Sequence, residues 1–180
     1  PPSSDLSIVV SGVPDGASLS AGTDNGDGTW SLTPDELEGL TLLPPQDYSG
    51  DIDLTVTATS TGPNGETAFT TVDLPITVNA IADAPEVDVM GATGAENTAI
   101  SLDVSAALTD TDGSETLSVV ISGVPDGALL SAGSDNGDGT WTLAPEDLDG
   151  LTITPPEDFS GEIVLDVVAT ATDENGDTAT

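Results

Sequence analysis

The chain has no lysine, arginine, histidine or cysteine, and only five of its 180 residues are aromatic. Each absence removes a class of function. Without a cationic side chain, none of the 33 Asp and Glu residues can form a side-chain salt bridge, so every carboxylate must be solvated, bonded to backbone or neutralised by ions from outside. Nucleic acid is excluded as a partner and insertion into an anionic membrane is not expected, because counterion release and surface attraction both need Lys or Arg. Without cysteine there is no disulfide framework, and a small secreted domain must be reinforced by other means, for which calcium is the natural candidate. Catalysis is left with carboxylates, hydroxyls and Tyr48. A two-carboxylate glycosidase is formally possible, but no cleft is announced and Tyr48 becomes Phe159 in the second copy of the repeat described next. The expectation is a non-enzyme.

What is present is a repeat. Offset by 111 residues, positions 6–69 align with 117–180 without a gap, and 42 of the 64 pairs are identical. The block LSxVxSGVPDGAxLSAGxDNGDGTW occurs at 6–30 and 117–141, followed by LxGLTLLPPxDYSG at 37–50 and LxGLTITPPxDFSG at 148–161. A period this long is domain-sized, so each copy should own a core. The boundary falls in the Pro-containing acidic linker 80–85, giving repeats at 1–81 and 84–180. Counted by the period from Ala84, the first copy lacks its initial 28 residues and the second its final 14, so the chain reads as a piece of a longer protein.

The apolar 36% of the sequence is arranged in alternating runs broken by Gly, Pro and Asn, which argues against disorder despite the acidity. In 52–58 the apolar residues share one face and Asp or Thr the other, as for a strand with one face on a core and one in water. Residues 72–78 repeat the pattern. In the second copy, strands are expected near 87–90, 100–105, 117–122, 128–132, 140–143, 151–154 and 163–171, with an eighth supplied after residue 180. Seven to eight short strands per module indicate an all-β protein of tandem antiparallel β-sandwiches. Trp30 and Trp141, each after an NGDG stretch, are expected as core aromatics beside a primed hairpin turn. Thr33 to Leu37 has the form of one helical turn with a capping box, and Ala144 in place of that Thr should weaken the second copy's turn.

Hard cations take several oxygens from Asp, Glu, Asn and backbone carbonyls gathered on loops. Asp110, Asp112 and Glu115 alternate on one loop between two expected strands. Asp173 and Asp177 lie on the last loop of the second copy, at the same end of the sandwich as the linker residue Asp83. These six carboxylates are expected to bind calcium at the junction between modules, stiffening it; solvated acidic turns are the alternative. Glu96, before a strand at the opposite end, could serve the next junction. The Asp135 to Gly139 run does not match an EF-hand loop, since Gly occupies its third and fifth positions.

At these residues the chain resembles the cadherin-like and immunoglobulin-like extender repeats of giant bacterial RTX adhesins. The resemblance covers nearly the whole chain and rests on the repeated LTxxPPxDxSG, the GAENTAISLDV opening, the DTDGSETL loop and the NAIADAP linker. It implies that Glu96, Asp110, Asp112 and Asp83 take the places of interdomain calcium ligands. Two departures stand out: Gly62 and Pro63 occupy the places of Asp173 and Glu174, and Pro1 and Pro2 those of Asp112 and Gly113. The function implied is a calcium-rigidified spacer of a secreted or surface adhesin, partnered by neighbouring repeats, with any glycan or surface ligand held by another domain. The alternatives are a carbohydrate-binding or homophilic adhesive module, for which repetition and scarce aromatics are poor support, and an accessory repeat of a secreted hydrolase.

Overall fold

The computed structural model describes residues 4–180 and divides into two compact units, Pro1–Ala80 and Ile81–Thr180. Both are all-β, with strands that pair antiparallel throughout and, in each unit, one single-turn 3-10 helix.

The first unit contains β1 (Asp5–Ser11), β2 (Ser18–Leu19), β3 (Thr23–Asp24), β4 (Trp30–Leu32), β5 (Leu42–Leu43), β6 (Gly50–Thr61) and β7 (Thr67–Val78). Its larger sheet has the order β3-β4-β1-β6-β7, and β2 pairs with β5 in a second, smaller one. The alternation decides what is buried: Ile8 and Val10 of β1 and Ile52 and Leu54 of β6 point into the core, with Ser7, Val9, Asp51 and Asp53 outward. Pro75 sits inside β7, which is an edge strand, the place in a sheet where proline is tolerated.

The second unit contains β8 (Glu86–Met90), β9 (Ile100–Ser101), β10 (Asp103–Ala107), β11 (Glu115–Ser122), β12 (Leu129–Leu130), β13 (Ser134–Asp135), β14 (Trp141–Leu143), β15 (Thr152–Thr154), β16 (Asp166–Asp173) and β17 (Thr178–Ala179). The order β13-β14-β11-β16-β17 repeats the large sheet of the first unit. Opposite it lie β12-β15-β9 and the pair β10-β8, with Val119, Ile121, Leu143, Leu151 and Trp141 buried among the core side chains. Gly123, which follows β11, has φ +82, and a Cβ there would come within 2.4 Å of the Val164 carbonyl oxygen; only glycine fits.

Several local expectations are corrected. The strand expected over 100–105 breaks at Leu102, whose N–H bonds to the Leu151 carbonyl, because the chain there leaves the β15 sheet and joins β8. The 128–132 strand shrinks to β12, β13 was unforeseen, and the eighth strand already starts at Thr178. The NGDG hairpins are not primed two-residue turns. The Asn136 N–H reaches the Thr140 carbonyl, and positive φ falls at Gly137 and Gly139 rather than on adjacent residues. Asp135 and Asp138 shape this loop by accepting from the N–H two residues on, at 2.8 and 3.1 Å. The Thr140 hydroxyl, and after it the Thr140 N–H, hold the Asp138 carboxyl below the usual carboxylate range; Thr29 does the same for Asp27.

The 3-10 turns Pro34–Leu37 and Pro145–Leu148 carry no side-chain cap. What closes them is the reverse half of the box, in which Glu36 accepts from the Thr33 N–H at 2.8 Å and Asp147 from the Ala144 N–H at 2.9 Å. Since the Thr33 hydroxyl does not cap, Ala144 removes no bond, and the reason for expecting a weaker second turn disappears.

Candidate metal centre

Among the described residues, the buried charged side chains are Asp110, Glu115 and Asp173, with 5%, 7% and 5% of their surface exposed. All three sit at one end of the second unit. Glu115 opens β11 and Asp173 closes β16, and strand register sets them directly opposite each other. Asp110 lies on the loop that leads from β10 into β11.

One oxygen of each carboxylate is committed to the backbone. Asp110 Oδ1 accepts from the Asp112 N–H at 2.8 Å, which folds the loop as Asp112 Oδ1 accepts in turn from Ser114 at 2.7 Å. Asp173 Oδ1 accepts from the N–H groups of Asn175 and Asp177 at 2.8 and 2.9 Å, closing the β16–β17 turn. Glu115 Oε1 accepts from the Asp83 N–H at 2.6 Å and so fastens the start of the unit to β11. The second oxygens are different. Glu115 Oε2 and Asp173 Oδ2 are buried without a hydrogen-bond partner, as is the Ser114 hydroxyl oxygen.

Asp83, Asp110 and Glu115 each offer an oxygen within 4.8 Å of the others. Two unit charges at that distance repel by roughly 3.5 kcal/mol at an effective dielectric of about 20, and burying an ion costs several kcal/mol more unless it is paired. The chain supplies no cation to offset either term. The donor set suits a hard divalent ion, since oxygens sharing a calcium ion at about 2.3–2.6 Å can stand no more than about 5 Å apart.

The expected ligands thus separate. Asp83, Asp110 and Glu115 converge, and Asp173 faces Glu115 across the ladder. Asp112 and Asp177 are exposed, and their N–H groups support Asp110 and Asp173. Glu96 is exposed and stands away from the cluster. Its neighbour Asn97 exchanges hydrogen bonds of 3.1 and 2.9 Å with Asp158, in the turn preceding β16, whereas Asp173 ends that strand. Ser114 was missed by sequence reasoning; its burial is decided by the fold, not by spacing. In the first unit Ser4 stands in the place of Glu115 and Gly62 in that of Asp173. Pro1 and Pro2, the counterparts of Asp112 and Gly113, lie outside the described residues.

Two antiparallel sheets enclosing one apolar core define an immunoglobulin-like β-sandwich. The family model described as bacterial Ig domain matches residues 80–180, more than half of the chain, and the chain belongs to that family. Such domains are typically non-catalytic structural or adhesive repeats of surface and extracellular proteins. No curated protein matches the chain. Among the described residues no helix is long and apolar enough to cross a membrane.

Proposed function

We propose that this chain is a spacer of a secreted or cell-surface bacterial adhesin of the RTX extender type, and that calcium held by Asp83, Asp110 and Glu115 stiffens the start of its repeat. The observation that carries this reading is the buried Glu115 Oε2, unpartnered beside two further carboxylates in a protein without cations. A buried acidic group left unpaired is strongly destabilising, so these residues make sense as half of an ion site. Asp83 follows the boundary at Ala80 by three residues. Tying it to β11 and the Asp110 loop through an ion would remove freedom from the segment that joins repeats, and a stiff joint turns a string of modules into reach. Near-identical copies and scarce aromatics favour length over recognition, which keeps a carbohydrate-binding module and a hydrolase accessory repeat behind this reading.

The test is thermal unfolding of the chain, with and without Asp110→Asn, in calcium, magnesium or chelator at matched ionic strength, with small-angle scattering under the same conditions. Calcium should raise the melting temperature well above magnesium, the variant should lose the rise, and the maximum dimension should be better defined with calcium. If sodium chloride or magnesium does as well, the carboxylates are a screened surface and the calcium mechanism is wrong.

A further inference from the structure

Among the described residues, the side-chain oxygens buried without a hydrogen-bond partner are Ser114 Oγ, Glu115 Oε2 and Asp173 Oδ2. They are not scattered: two belong to consecutive residues, and the third belongs to the residue opposite Glu115 in the β11–β16 ladder. An ion on Asp83, Asp110 and Glu115 accounts for Glu115 Oε2. It leaves Asp173 unexplained, because that carboxylate stands outside the group whose oxygens all lie within 4.8 Å of one another. Asp173 is nonetheless only 5% exposed, with Oδ1 committed to the Asn175 and Asp177 N–H groups and Oδ2 bare. An ionised oxygen buried in this way needs a counter-charge of its own, and the chain holds no cationic side chain. Asp83, Asp110, Glu115 and Asp173 together carry four negative charges at one end of the unit. One divalent ion leaves half of that charge unmatched, and a second balances it.

We propose that Asp173 Oδ2 and Glu115 Oε2 hold a second calcium ion, with Glu115 as the carboxylate common to both positions. The proposal rests on the calcium reading above and adds to it a second, separately filled position. Residues directly opposite in an antiparallel pair project from the same face with Cβ atoms about 4.5–5.5 Å apart, so the two carboxylates can share one ion. Ser114 Oγ is a neutral oxygen at the same end, and water completes a shell of about six to eight ligands. Calcium affinity follows the number of charged ligands. With two carboxylates against three, the Asp173 position fills after the first. The joint therefore stiffens in two steps: the first ion ties the linker residue Asp83 to β11, and the second ties the end of β16 to the same Glu115.

The experiment titrates calcium into the 180-residue chain and into its Asp173→Asn variant, counting bound ions by equilibrium dialysis and following backbone amides by nuclear magnetic resonance. The reporters are built in. The Asp83 and Asp112 N–H groups bond to Glu115 and Asp110, whereas those of Asn175 and Asp177 bond to Asp173. The parent should bind two ions, with Asp83 and Asp112 shifting first and Asn175 and Asp177 at calcium concentrations about tenfold or more higher. Asp173→Asn keeps the Oδ1 acceptor; it should bind one ion and lose only the second step. A parent that binds one ion, four amides that move in a single step, or a second step that survives in the variant overturns the second position and leaves the first standing. No step at Asp83 or Asp112 removes the calcium reading itself, and the second position with it. Should circular dichroism show the variant unfolded, the ion count and the order of the steps in the parent decide alone.

Discussion

Glu115 divides its two carboxylate oxygens between a structural contact and the proposed ion site. Its Oε1 accepts the Asp83 N–H and its Oε2 has no partner, so Glu115→Gln keeps the first contact and removes one charge from the cluster. Without calcium the variant should be more stable than the parent, by about 1–2 kcal/mol, because like-charge repulsion falls. With calcium at a hundredfold excess over its dissociation constant the order should reverse, the parent alone gaining about 2.7 kcal/mol. Denaturant melts in chelator and in calcium check both signs, and a variant less stable in both conditions would remove the electrostatic account. Asp138 offers a prediction of opposite kind. Its carboxyl is held low by Thr140, so the stability it contributes is present above the ordinary carboxylate value of 3.8 and is lost as pH falls through its lower folded value. Thr140→Val should raise that value, as a carboxyl titration by nuclear magnetic resonance would reveal. Glycine matters where backbone approaches backbone: Gly123→Ala should cost about 3 kcal/mol, read from denaturant melts, since φ and the Val164 carbonyl both oppose a Cβ.

At the level of elements, the same sequence pattern yields different energetics according to what covers it. The two 3-10 turns are closed by the same backbone-to-carboxylate bond, yet Leu148 is buried beneath β10 and Leu37 is not. Leu148→Ala should therefore cost about 2–5 kcal/mol, and Leu37→Ala less than about 1 kcal/mol, compared by chemical denaturation. The strands themselves were largely legible, because alternation of Val, Ile and Leu with Asp and Thr fixes which face is apolar. The break at Leu102 and the short β13 were not: a switch between sheets and a two-residue pairing leave no period to read. The NGDG loops misled for a related reason. Asn and Gly in sequence suggest a primed turn, but Asp side chains that bond the backbone two residues on build a longer loop from the same letters.

For the whole molecule, the two units carry separate cores, so thermal unfolding should show two transitions. Calcium should move only the one reported by Trp141, because Asp83, Asp110, Glu115 and Asp173 belong to its unit while Ser4 and Gly62 stand in the other. Comparing Trp30→Phe with Trp141→Phe separates the transitions. A net charge of −33 also means that plain salt should stabilise both units modestly by screening, and the calcium-specific shift is whatever exceeds that.

By itself the sequence determined the all-β class, the repeat, and the poverty of charge partners that forces any buried carboxylate to look outside the chain. Those follow from composition and period, which survive without coordinates. It also drew attention to the acidic loop that carries Asp110 into the converging group, because alternating Asp on a short turn is visible as text. Which carboxylates meet was decided only by tertiary structure. Strand register set Glu115 opposite Asp173, and the Asp83 N–H brought the first residues of the unit onto β11, leaving Asp112, Asp177 and Glu96 outside the group that converges.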